Sequence, residues 1–140
     1  MESTGLISHE SAKVRIDSKG HVLVYSGLTS HGQGQVTTLA RVCADALGVD
    51  LAAVTVRLGD TQLLAFGNGT FARRGAVVGA NAVNGAAVRL RERILDYAAS
   101  QLQADGLKLK LKGGRILRKD ETETLLALYR PVSSALRPIL

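Results

Sequence analysis

Apolar and basic side chains alternate along Ala12-Lys13-Val14-Arg15-Ile16, the period of a half-exposed strand. Asp17-Ser18-Lys19-Gly20 interrupts the pattern as a turn, and His21 to Ser26, rich in Val and Tyr, predicts a second strand folding back on the first. Beyond the glycine-rich stretch Gly27 to Gln35 the spacing changes. Val36, Leu39, Ala40, Cys43, Ala46 and Leu47 fall on one face of a helix, and Gly48 stops it. Val54 to Leu58 alternates again as a third strand. Gly59 to Gly75 is a long connection, and a loop of that length inside a compact domain is usually functional or ordered by a ligand. A second helix is predicted over Ala76 to Ala104, with Leu90, Ile94, Ala98 and Leu102 as its apolar stripe. Its first half is dense in Gly and Ala, and each glycine there costs about 1 kcal/mol relative to Ala, so close packing is expected in return.

Leu107 to Lys112 places Leu and Lys on opposite faces of a strand, Gly113-Gly114 is a hairpin turn, and Arg115-Ile116-Leu117 begins the return. Asp120 and Glu123 have the spacing of a helix cap, which predicts a short helix ended by Pro131. The order β-β-α-β-α-β-β-α implies an α+β fold: a two-layer α/β domain, its sheet mostly antiparallel, with helices on one face. Residues 1–130 form one domain in this reading, and 131–140, which hold Pro131 and Pro138, a tail.

The chain has 140 residues, enough to own a core, and its 46% hydrophobic content excludes a disordered chain. Cys43 is the single cysteine, so no intrachain disulfide and no cysteine zinc cluster is expected. No apolar run approaches the roughly 20 residues of a membrane span, and Met1 to Gly5 carries no signal-peptide pattern. A soluble cytoplasmic protein is the default expectation. The formal charge of +6 fits an anionic partner such as a phosphate-bearing cofactor, nucleic acid or an acidic protein, and it equally fits plain solubility. With 3 Tyr, 2 Phe and no Trp, base-stacking platforms are scarce, which weighs against nucleic acid.

Two glycine-rich loops open helices, and such helix starts favour anions because their N–H groups are unpaired. The first is His31-Gly32-Gln33-Gly34-Gln35, with Thr37 and Thr38 adding hydroxyls. The second, Gly67 to Gly75, brings backbone amides, the Thr70 hydroxyl and two guanidiniums, Arg73 and Arg74, a residue type suited to phosphate. Each loop alone reads first as a bare turn or a loop with solvated side chains; two in one small domain point to a shared phosphate site. Asp60-Thr61 reads as a turn cap in preference to a ligand contact, and His31 as a polar loop residue in preference to a proton carrier or cofactor donor. His9 and His21 have no metal-ligand spacing, and Cys43 belongs to the apolar helix face.

The order of these pieces resembles a known family. Gly27-x3-His31-Gly32-Gln33-Gly34-x2-Thr37, Ala44-Asp45-x-Leu47-Gly48-Val49, Gly59-Asp60-Thr61, Phe66-Gly67-x-Gly69-Thr70-Phe71-Ala72-x-Arg74 and Val78-Gly79-Ala80 are similar to the large, molybdopterin-binding subunit of the xanthine dehydrogenase/aldehyde oxidase family. The resemblance covers roughly residues 10–118. It implies a molybdenum cofactor of molybdopterin type, with the cytosine dinucleotide form as one option, and chemistry that hydroxylates a carbon centre with oxygen from water. It implies cofactor contacts at Gly32, Gln33 and Gly34, and in the second loop at Thr70, Ala72 and Arg74, a set extended by the neighbouring Phe71, Arg73 and Gly75. It also implies partners: the remaining domains of a large subunit, and iron–sulfur and flavin components.

Two departures stand out. Arg73 and Gly75 occupy positions where the family commonly carries Ser, and the family's catalytic Glu in a G-x-G-E stretch has no counterpart here. No catalytic or metal-ligating residue is therefore assigned, and no turnover is expected from this chain alone. A fragment or truncated form is the expectation, with self-association through exposed inter-domain surface if it is isolated. A free-standing module for a phosphorylated ligand or nucleic acid, or a remnant that binds nothing, remain alternatives on the residues alone.

Overall fold

In a computed structural model, the structure describes residues 9–60, 62–64, 67–71, 74–103, 105–120 and 124–128. The first alternating segment forms β1 (Ala12–Ile16), which pairs antiparallel with β2 (Val22–Ser26). Asp17 makes the turn: its Oδ1 accepts the amides of Lys19 at 2.8 Å and His21 at 2.9 Å. These bonds, the His21 amide foremost, hold its carboxyl below the ordinary value. The chain then crosses over through α1 (Gln35–Leu47) and returns as β3 (Val54–Leu58), parallel to β2. A helical crossover is what lets the third strand run in the same direction as the second.

A wide helical turn, Gly75–Gly79, leads into α2 (Ala80–Leu102). The glycines have the use the sequence implied. A Cβ on Gly79 would collide with Leu28, which is fully buried, so the start of this helix sits directly on the first loop. Val83 and Ala87 continue the contact as buried residues, and α1 and α2 pack on each other. Val36 departs from expectation: it is exposed rather than part of the apolar face.

The second half differs from the predicted single sheet. β4 (Leu109–Lys112), β5 (Arg115–Arg118) and β6 (Thr124–Ala127) form a separate three-stranded antiparallel sheet. The chain reaches this sheet only after α2, whose 23 residues rise about 35 Å. The new sheet docks on the C-terminal end of α1. Gly48, at φ 83°, leaves no space for a Cβ beside the Leu111 carbonyl, and its own carbonyl accepts the Gly114 amide at 3.1 Å.

The short helix predicted from Asp120 and Glu123 is not formed over Thr124–Ala127, which pairs with β5 as β6. Four residues carry no decisive periodicity, and the open edge of β5 supplies the hydrogen bonds. Residues 121–123 and the tail at 131–140 lie outside the described residues. The α+β class holds, with two small sheets where one was expected.

Cys43 is fully buried on the core face of α1, and burial pushes its thiol from 9.0 up to about 12. In the folded chain the thiol stays protonated between those values, while in the unfolded chain it ionises, so alkali above pH 9 favours unfolding. A thiol reagent at pH 8 is expected to leave the native protein unlabelled and to label it fully in urea; fast native labelling would contradict this burial.

Candidate functional site

The two glycine-rich loops meet at one end of the molecule, where both helices begin. Gly67 lies so close to the Gly27 backbone that a Cβ on it would stand 2.7 Å from the Gly27 Cα. Thr70 bolts the loops together: its hydroxyl donates to the Thr29 carbonyl at 2.7 Å and accepts the Thr29 amide at 3.0 Å. The nearly buried Gln35 side chain donates to the same Thr70 oxygen at 3.3 Å. Gly75 leaves room for that Gln35 amide, since a Cβ there would overlap it.

Between the loops lies a cleft of about 420 Å³, lined by His31, Gln33, Gln35, Thr38, Leu39, Thr70, Phe71, Gly75 and Ala76. Gly32 and Gly34 flank it at φ 89° and 72°, and nothing lies within 4 Å of where their Cβ atoms would be. That space is open to a ligand's close approach. The N-terminus of α1 carries no side-chain cap and no acidic residue in its first turn, so its leading amides remain available. Thr38 lines the cleft with its hydroxyl donated to the Gly34 carbonyl at 3.1 Å. The Gln33 side chain folds back to accept the His31 amide. Phe71, 44% exposed, lines the cleft with its ring 5.2 Å from the Arg74 guanidinium carbon.

The structure thus brings Gln33, Thr70, Phe71 and Gly75 to one cleft, with Gly32 and Gly34 beside it. Ala72, Arg73, Phe66 and Thr61 lie outside the described residues. Arg74 is placed differently from the sequence expectation. It is 1% exposed, and its guanidinium points away from solvent to the Glu10 carboxylate at 2.6 Å, the Gly69 carbonyl at 2.6 Å and the His9 carbonyl at 2.8 Å. Its Nε has no hydrogen-bond partner. The physical cause is reach: Glu10 stands behind the loop, and a buried carboxylate draws the nearest cation inward.

Glu10 is the residue that sequence reasoning missed. It lies 64 positions from Arg74, in a segment with no motif of its own. Asp60 accepts the Gln62 amide at 3.1 Å, which bears out its reading as a turn cap. Among the described residues, no cluster of His, Cys, Asp or Glu could hold a metal ion. Among them also, no helix is long and apolar enough to cross a membrane.

The family model that matches this chain, over residues 1–136, is described as a molybdopterin cofactor-binding domain. The chain belongs to that family. This bears out the resemblance to molybdenum hydroxylase large subunits and assigns the chain to their cofactor-binding region. It is 38% identical over 121 residues to the nicotine 6-hydroxylase large subunit of Paenarthrobacter nicotinovorans, covering 81% of this chain and 15% of that protein. It matches the crystal structure of quinoline 2-oxidoreductase from Pseudomonas putida 86 with a TM-score of 0.72 and 41% identity, over 79% of this chain and 14% of that one. The Cu,Mo-CO dehydrogenase structure matches with a TM-score of 0.73 and 29% identity, over 82% and 14%. The chain therefore spans only about a seventh of the length of these relatives.

Proposed function

We propose that the cleft between the two glycine-rich loops grips the pterin and phosphate part of the molybdenum cofactor. The observation that carries this reading is the open space over Gly32 and Gly34 beside the uncapped start of α1. Three relatives named for nicotine, quinoline and carbon monoxide share this segment, so the shared feature is the cofactor rather than a substrate. The residues fit such a group. Leading amides of α1 donate to phosphate oxygens, Gly32 and Gly34 admit them closely, and the Gln33 amide adds a polar contact. Thr70, Phe71 and Gly75 form the opposite wall, with Phe71 excluding water from a planar ring. Ala72 and Arg73 complete the loop in this proposal, and Arg74 supports it from behind.

The cytosine dinucleotide form is the proposed cofactor, since a relative of known structure is a CO dehydrogenase and the cleft leaves room beyond a single phosphate. When bound, the cofactor supplies the molybdenum redox chemistry that hydroxylates a carbon centre with oxygen from water. The proposed setting is a cytoplasmic oxidoreductase in which the remaining large-subunit domains, together with iron–sulfur and flavin partners, complete the enzyme.

Titration of the chain with cytidine diphosphate tests the site. The amides of Gly32 to Gln35 and of Gly69 to Gly75 are expected to shift together, while core amides such as that of Cys43 stay still. Absence of any shift at millimolar ligand would sink the proposal.

A further inference from the structure

We infer that Glu10 is a positioning residue for the second glycine-rich loop, setting through Arg74 and Asn68 where Thr70, Phe71 and Gly75 stand at the cleft. The inference rests on the cofactor reading of that cleft, but its geometry is separate from it. Glu10 lies just before β1, with its side chain fully buried. Its Oε1 accepts the Ser11 amide at 3.2 Å, which fixes the carboxylate's orientation. Its Oε2 accepts two groups from the loop: the Arg74 Nη1 at 2.6 Å and the Asn68 amide at 3.3 Å. The Asn68 side chain donates to the His9 carbonyl at 3.4 Å, beside the Arg74 bond to the same carbonyl at 2.8 Å.

Two residues of the segment before β1 therefore hold both ends of the loop. Arg74 passes the restraint on. Its Nη1 also donates to the Gly69 carbonyl at 2.6 Å, and the Phe71 ring lies 5.2 Å from its guanidinium carbon. Thr70 stands between those two contacts, Phe71 makes the second of them, and Gly75 directly follows Arg74. Glu10 does not itself line the cleft, and its bonds to the loop run to Arg74 and Asn68, so it acts through the loop. The unpartnered, buried Nε of Arg74 fits this arrangement: the guanidinium is oriented by Glu10 and the two carbonyls, at the expense of one unsatisfied donor.

A buried ion pair replaced on both sides by apolar residues is often neutral for stability, whereas removal of one partner is not. That difference separates positioning from mere stability. In the full chain, Glu10→Gln, Glu10→Asp and the double variant Glu10→Leu/Arg74→Met are compared by thermal unfolding, ligand-free amide shifts and cytidine diphosphate titration. In Glu10→Gln the ligand-free amides of Gly67 to Phe71 are expected to move while those of Gly32 to Gly34 do not. Affinity for cytidine diphosphate falls about tenfold, a size typical of one lost polar contact. Glu10→Asp, which keeps the charge, recovers part of that loss. The double variant, which leaves no buried charge unpaired, unfolds at least as high as Glu10→Gln yet keeps the weakened affinity.

Wild-type affinity in a stable double variant would overturn the inference. So would unchanged Gly67 to Phe71 shifts in Glu10→Gln. Should the unaltered chain bind no cytidine diphosphate, the cofactor proposal fails by itself, and the ligand-free shifts still decide the role of Glu10.

Discussion

Arg74→Ala is expected to lower the stability of the folded chain by about 3–5 kcal/mol, the cost of leaving a buried carboxylate without its counter-charge. The side chain is 1% exposed and Glu10 is completely enclosed, so water cannot replace the lost partner. Three bonds disappear at once, to Glu10, Gly69 and His9. For a chain of this length the loss corresponds to a fall in Tm of roughly 10–20 °C. Thermal unfolding followed by circular dichroism checks it. A change of only a degree or two, the size expected of an exposed phosphate-binding arginine, would mean that the guanidinium faces solvent.

Gly34→Ala is expected to have the opposite balance. Gly34 sits at φ 72°, and alanine at such an angle costs about 1 kcal/mol. The added methyl meets no protein atom within 4 Å, so packing contributes nothing further. It does stand in the space beside the α1 amides that the proposal reserves for the phosphate. Affinity for cytidine diphosphate is expected to drop tenfold or more, roughly 1.4 kcal/mol or beyond, in a chain that still unfolds cooperatively. Calorimetric titration of both proteins measures this. Equal affinity would remove the first loop from the site.

The two predictions divide the motif residues by what they do. Gly32 and Gly34 leave space, and that property is legible in the sequence because positive φ and missing side chains are local. The same holds for Gly20 in the β1–β2 turn and for the Gly113-Gly114 hairpin, all at positive φ. Period-two alternation located β1, β3 and the Leu109–Lys112 part of the strand predicted from Leu107, since the partition between core and solvent acts at each residue; Gly106–Lys108 instead forms a short helical turn. Thr70 lines the cleft, and its hydroxyl also ties Thr29 to Gln35; no spacing rule distinguishes a ligand contact from a bond between loops.

The residues by themselves determined the α+β class, the two helix-opening loops, the core face of α1 around Cys43 and the family. These depend on periodicity, glycine conformation and motif order, each contained in a short window of chain. Tertiary structure alone decided that Thr124–Ala127 became a strand, because the free edge of β5 was available to it. It also split the strands into two sheets, the second seated against α1 by the close approach at Gly48. Above all it decided the direction of Arg74. A guanidinium can serve a phosphate or a carboxylate equally well, and the choice falls to whichever anion the closed chain holds nearest. Here that anion is Glu10, brought across 64 positions by the fold.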